Sequence, residues 1–185
     1  MNRRDFLLAT VPAILVPGAL ASQTNAAMAP RATTNPDPDD RAAGQQRIVK
    51  LDKKHAEWKA VLSASQYKVL FEDDTERPRS SPLDAEKRAG TYVCAACHLP
   101  LFDSTTKFDS GTGWPSFFRP IAGRVETKRD FKLIWPRTEY HCARCEGHQG
   151  HIFGDGPAPT GKRYCNNGIA LRFVVKGEAM PPLRS

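Results

Sequence analysis

Residues 91–97 read TYVCAAC and residues 139–145 read EYHCARC, and these two strings decide the architecture. Each holds two cysteines separated by two residues: Cys94 with Cys97, and Cys142 with Cys145. A C-x-x-C turn brings both sulfurs to one side of a small loop, where they can form two corners of a tetrahedron. Two such knuckles complete a closed site of four thiolates, which suits one structural zinc per chain and leaves no open position for catalysis. The other reading of C-x-x-C is a redox pair. That requires one pair opening a helix in a βαβ unit, whereas here two pairs lie in strand-rich sequence. Forty-four residues separate the pairs, more than in a compact zinc ribbon, so the metal would clip distant parts of a sheet together. His98 and His141 flank the knuckles. Four cysteines already fill the site, so these imidazoles are expected at the surface or behind the ligands.

Outward from the knuckles, the chain reads as short strands. Thr91–Val93, Arg124–Thr127, Phe131–Trp135, Glu139–His141 and Ala170–Val175 carry β-branched or aromatic residues between Gly, Pro and Asp clusters. Upstream, Trp58, Val61, Leu62, Tyr67, Val69 and Leu70 predict one or two short helices packed on a core. The stretch Glu72–Arg88 is polar and broken by Pro78 and Pro82. No repeat is visible. The expectation is one α+β domain over residues 47–178, mainly β and mainly antiparallel. A length of 185 residues has room for that domain and a tail. A hydrophobic fraction of 40% with 25% charged residues excludes global disorder. Fifteen prolines and thirteen glycines argue against a helical bundle. The net charge of +7 permits nucleic acid as a partner. However, the lysines and arginines are scattered, with no basic face interleaved with aromatics, so none is expected.

The chain begins MNRRDFLLATVPAILVPGALA. Arg3 and Arg4 precede an apolar stretch too short and too rich in Ala, Pro and Gly for a comfortable membrane span. The pattern reads as a secretory leader of the twin-arginine type over residues 1–26, followed by a flexible linker over 27–46. The expected location is the periplasm, with no stable membrane association after cleavage. Export of a folded chain would let zinc load in the reducing cytoplasm.

The fifth cysteine, Cys165, stands alone in GKRYCNNG. Arg163 is close enough in sequence to stabilise a thiolate. In an extended segment Arg163, Cys165 and Asn167 point to one face. Upstream, His148 and His151 lie three apart in EGHQGHIFGDG, and imidazoles donate protons near neutral pH. Trp114 is framed by Gly113 and Pro115 in FDSGTGWPSF. A rigid indole of this kind lines pockets for apolar or sulfur-bearing groups. Each has a plainer reading taken singly: a buried small hydrophobe, a structural histidine pair and a core tryptophan.

Taken in order, CAACHLPLFDSTTKFDSGTGWPSF and YHCARCEGHQGHIFGDGPAPTGKRYCNNGIALRF resemble the B-type methionine sulfoxide reductases over about residues 62–173. The resemblance implies two antiparallel sheets with short N-terminal helices, and many members carry a four-cysteine zinc site. It implies that Cys165 is the nucleophile and that His148, His151 and Asn167 bind and polarise a sulfoxide oxygen. Trp114 would pack on the substrate methyl group, and Arg163 would help set the thiolate. The implied activity is reduction of methionine-R-sulfoxide in oxidised proteins through a sulfenic acid at Cys165. Many members have a resolving cysteine where this chain has Thr112. An external thiol, such as a thioredoxin-like protein, is therefore expected to regenerate Cys165 directly or through a mixed disulfide. A monomer is expected. The rival reading is a zinc-stabilised β module that binds proteins without catalysis and needs no reactive thiol at Cys165.

The leader reading has a direct test. Residues 1–30 fused to a reporter that must fold before export are expected to send it to the periplasm. Replacing Arg3→Lys and Arg4→Lys together is expected to stop that export, as cell fractionation would show; unchanged export would indicate a general secretory signal.

Overall fold

The computed structural model describes residues 48–131 and 136–185. The expected leader and linker, and positions 132–135 of the expected strand at 131–135, lie outside the described residues. Phe131 itself is not in a strand.

Helix α1 spans Ala64–Phe71 and follows a 3-10 turn at His55–Ala60. A reciprocal cap starts it: Ser63 Oγ accepts from Gln66 N at 3.1 Å, and Ser63 N donates to Gln66 Oε1 at 3.1 Å. Val69 and Leu70 are buried, and Trp58 stacks on Phe71 with ring centroids 5.8 Å apart.

Nine strands follow in the described residues: β1 (Gly90–Cys94), β2 (Pro100–Asp103), β3 (Lys107–Phe108), β4 (Ser116–Phe117), β5 (Val125–Asp130), β6 (Arg137–Cys142), β7 (His148–Phe153), β8 (Arg163–Asn166) and β9 (Leu171–Val175). They form two antiparallel sheets, one of three strands in the order β2-β1-β9 and one of six in the order β3-β4-β8-β7-β6-β5. The fold is therefore mainly β with few helices, as the sequence predicts. The expected strands at 91–93, 139–141 and 170–175 fall on β1, β6 and β9, with Ala170 in the preceding 3-10 turn. Strands β2, β7 and β8 were not legible, because Pro, Gly, His and Asn interrupt any clean alternation in them, and β3 and β4 are too short, at two residues each, to show one.

Aromatic rings join the sheets. Phe102 of β2 stacks on Phe117 of β4 at 4.2 Å, and Tyr92 of β1 meets the same ring edge-on at 4.9 Å. Each such pair adds about 0.5–1.5 kcal/mol beyond its buried area. Both knuckle-bearing strands are irregular just before their first cysteine, at Tyr92/Val93 and at Tyr140/His141. A shift there turns the chain out of the ladder and into the cysteine loop.

Strands β7 and β8 approach closely at one point. Gly150 lies beside Cys165, and a Cβ at Gly150 would run into the Cys165 carbonyl oxygen. Only glycine fits there without moving backbone. Gly150→Ala is expected to destabilise the domain by about 3 kcal/mol, the upper end for overpacking a core. Urea unfolding measures this, and an unchanged midpoint would contradict it.

Candidate active site and metal centre

The two cysteine knuckles are copies of one backbone turn, an equivalence too short to register as a sequence repeat. His98 N donates to Cys94 O and Glu146 N to Cys142 O, both at 2.9 Å. Cys94 N and Cys142 N donate to the carbonyls of Leu99 and Gly147 at 2.9 and 3.0 Å. His98 and Glu146 both take left-handed backbone, with φ of 62° and 60°. The knuckles hang from β1 of one sheet and β6 of the other. Their four sulfurs lie within 4.8 Å of one another, with Cys94 to Cys145 at 3.6 Å and Cys97 to Cys142 at 3.5 Å.

A tetrahedron with metal–sulfur bonds of about 2.3 Å has sulfur–sulfur edges of about 3.8 Å, so the cluster fits a metal ion. The thiols cannot ionise independently. Hydrogen bonds shared within the cluster, with burial, push Cys94 and Cys145 up, whereas the thiols donating to Cys97 pull it down. Four thiolates in this volume require a cation. Neither flanking histidine joins the group: His98 is buried with Nδ1 3.0 Å from the Pro182 carbonyl, and His141 Nε2 lies 3.7 Å from Glu126.

The second site forms where β4, β8 and β7 lie side by side. Cys165 is paired across the ladder with His151 on one side and Ser116 on the other. Cys165, His151, Asn167 and Trp114 line one cavity of about 140 Å³, together with Thr75 and Arg137. That volume is below the usual range for whole drug-sized ligands, about 300–1,000 Å³, and suits the tip of a side chain. A larger groove of about 900 Å³ passes Ser81, Arg172 and Phe173 and holds none of the four.

The other two expected residues stand behind this lining. His148 is 2% exposed, with its ring centroid 5.4 Å from that of His151 and its Nδ1 3.0 Å from Glu139 Oε1. Arg163 is buried and forks onto Asp155 through two bonds of 2.9 Å, with its guanidinium 4.3 Å from the Phe153 ring centre. Asn167 does not alternate with them along a strand, because β8 ends at Asn166 and Asn167 begins the next turn.

Burial pushes the Cys165 thiol above its ordinary range. The Arg163 charge and hydrogen bonds from Thr112 and Arg163 oppose that shift by favouring the thiolate. Thr112 is held by Ser110, whose hydroxyl lies 2.8 Å from those of both Thr112 and Ser116.

Sequence reasoning missed the carboxylates beneath the imidazoles. Asp130 Oδ2 lies 2.8 Å from His151 Nε2 and accepts from Arg137 at 2.7 Å. Burial lowers the pKa of His151, and the hydrogen bond to Asp130 partly restores it. Glu139 stays below the usual carboxylate range despite burial, because His148 and Lys128 hold it charged. Glu76 was also missed: its backbone carbonyl accepts from the Trp114 indole at 3.2 Å. A lone carboxylate in sequence carries no mark of such a partner.

A cysteine paired across the ladder with a carboxylate-backed histidine, on a two-sheet scaffold whose four-cysteine cluster can hold a metal, defines a thiol site on a mainly β fold. The SelR domain family model matches residues 62–175. The chain belongs to this family, that of the MsrB proteins. It is 54% identical over 132 residues to "Peptide methionine sulfoxide reductase MsrB" of Pseudomonas putida (strain W619), covering 70% of this chain and 98% of that one. It is 51% identical over 129 residues to the protein of the same name from Methanosarcina barkeri, covering 69% and 91%. It is 46% identical over 143 residues to "Peptide methionine sulfoxide reductase B1, chloroplastic" of Arabidopsis thaliana, covering 76% and 70%. Among solved structures, a Mis18 "Yippee-like" domain overlaps 49% of this chain and 100% of its own at 17% identity and a TM-score of 0.38, too little to bear on fold or function.

The Asp130–His151 pair sets a signed expectation. Asp130→Asn removes the charge that favours the imidazolium and leaves Arg137 uncompensated beside it. Both changes act in the same direction, so the His151 pKa is expected to fall further. Nuclear magnetic resonance titration of the ring Cε1–H measures it, and an upward shift would contradict the assignment.

Proposed function

We propose that this chain reduces the R epimer of methionine sulfoxide in oxidised proteins, with Cys165 as nucleophile and an external thiol as reductant. Family membership makes the chain an oxidoreductase of the methionine sulfoxide reductase type. What supports the finer reading is the convergence of a thiol, an imidazole, an amide and an indole on one cavity of about 140 Å³. The R epimer is the form that B-type enzymes take.

A sulfoxide sulfur becomes electrophilic when its oxygen is protonated or strongly hydrogen-bonded. In this reading His151 and Asn167 meet that oxygen and Trp114 meets the methyl group. His148, set between Glu139 and His151, supports the imidazole that carries the proton. Arg163 and Thr112 stabilise the Cys165 thiolate as it forms. Attack on sulfur transfers oxygen to Cys165, so the sulfoxide is reduced to methionine and the thiol is oxidised to a sulfenic acid. One thiol then condenses with the sulfenic acid, releasing water and leaving a mixed disulfide. A second thiol attacks that disulfide and restores Cys165. The four zinc thiolates take no part in this cycle.

Zinc is the proposed occupant of the cluster, held by Cys94, Cys97, Cys142 and Cys145. A closed four-thiolate site suits a structural ion that holds the sheets together. The proposed location is the periplasm, from the twin-arginine leader.

The test uses separate R and S epimers of a methionine sulfoxide peptide, with dithiothreitol as reductant. Turnover of R alone is expected, with Cys165→Ser inactive yet folded and carrying about one zinc per chain. After one equivalent of R-sulfoxide without reductant, dimedone is expected to label Cys165. In Thr112→Cys the label is expected to give way to a disulfide between positions 112 and 165, because the new thiol acts at high effective concentration. Normal turnover by Cys165→Ser would sink the assignment. A wild-type disulfide between Cys165 and a cluster cysteine would overturn the division of labour among the thiols.

A further inference from the structure

Glu76 reaches three parts of the site from a polar connecting stretch. Its backbone N–H donates to Asn167 Oδ1 at 3.1 Å, and its carbonyl accepts from the Trp114 indole at 3.2 Å. Its carboxylate accepts from Gly168 N at 2.5 Å and from Ile169 N at 3.0 Å.

The last two bonds are unusual in their source. Gly168–Ala170 forms a single 3-10 turn whose N-cap is Asn167. Asparagine is among the most favoured N-cap residues, since its side-chain oxygen reaches the first free N–H groups of a helical turn. Here Asn167 makes no side-chain cap bond. Its Oδ1 is turned to Glu76 N, and its Nδ2 donates to Gln149 O at 3.1 Å. The turn is capped instead by a carboxylate more than ninety residues away in sequence. The segment that carries Glu76 is seated directly on the turn, because a Cβ at Gly168 would run into the Ser81 hydroxyl.

We propose that Glu76 is a positioning residue: it takes over the capping role of Asn167 and so keeps the Asn167 amide turned to the cavity. A side-chain amide nitrogen has two N–H groups, so one bond to Gln149 leaves the other for a substrate oxygen. The inference rests on the reading above that Asn167 meets the sulfoxide. Without the carboxylate, Gly168 N and Ile169 N lose their acceptor, and Asn167, at the N-cap position of the turn, is placed to supply one. It swings onto them and leaves the cavity. The Trp114 contact is to Glu76 backbone and survives a side-chain substitution, so the effect isolates the cap.

The experiment is a double-mutant cycle in the full chain, at zinc content matched to wild type, on a peptide methionine-R-sulfoxide with dithiothreitol. Glu76→Ala is expected to lower kcat/KM about ten- to a hundredfold, the scale of one lost charge-assisted hydrogen bond. The double variant with Asn167→Ala is expected to be no worse than Asn167→Ala alone, since both changes remove the same contact. Glu76→Gln, whose amide oxygen still accepts one bond, is expected to recover part of the loss. Additive losses would mean a merely structural role and would overturn the inference. If Glu76→Ala does not fold, the same cycle runs on Glu76→Gln. A crystal structure of the variant decides the point independently of turnover. Asn167 Oδ1 turned onto Gly168 N or Ile169 N supports the inference, and Oδ1 still on Glu76 N overturns it. An inactive wild type would count against the functional reading and leave that structural outcome standing.

Discussion

Four sulfurs from two sheets occupy one small buried volume, and the fold depends on that being tolerable. Hydrogen bonds shared within the cluster, with burial, push Cys94 and Cys145 up while Cys97 is pulled down, so these sulfurs do not lose their protons together. A cation held at the centre would let all four ionise and would cross-link β1 to β6. The bulge before each knuckle and the left-handed residue after it are the local conditions for that meeting. With the sheets joined there, the aromatic pairs between β2, β4 and β1 complete a core that a domain of this size needs.

The cavity beside Cys165 uses the same six-stranded sheet for a different end. β4 and β7 flank β8, so the cross-strand neighbours of Cys165 are determined by register. Gly150 permits the approach of β7 to β8 beside the thiol. Cluster and cavity share a framework but no residue. Gln149 links them: its side chain donates to Cys94 Sγ at 3.5 Å and its carbonyl accepts from Asn167.

Charge burial is concentrated around this cavity. Asp130 and Glu139 are nearly inaccessible, and each is compensated by a histidine and by a basic side chain, Arg137 or Lys128. An uncompensated carboxylate there would be costly, whereas a paired one fixes the orientation of the imidazole above it. Glu76 achieves a similar result with backbone donors in place of cations. Burial raises its pKa, and the N–H groups of Gly168 and Ile169 oppose that rise.

The chain alone was enough to read whatever depends on neighbours in sequence. C-x-x-C spacing announces a pair of sulfurs because two residues of loop determine their separation. The Trp114 and Cys165 strings are legible for the same reason, since Gly, Pro and Arg beside them shape their surroundings directly. The short strands with β-branched or aromatic residues were visible too. Only the tertiary structure decided which carboxylate serves which histidine, that His148 and Arg163 stand behind the cavity lining, and that Glu76 caps a turn far along the chain. It also decided that β7 and β8, with their Gly, His and Asn residues, are strands at all. These facts depend on register between segments distant in sequence. Side-chain partners there are selected by the packing of whole sheets, which no local pattern of residue types encodes.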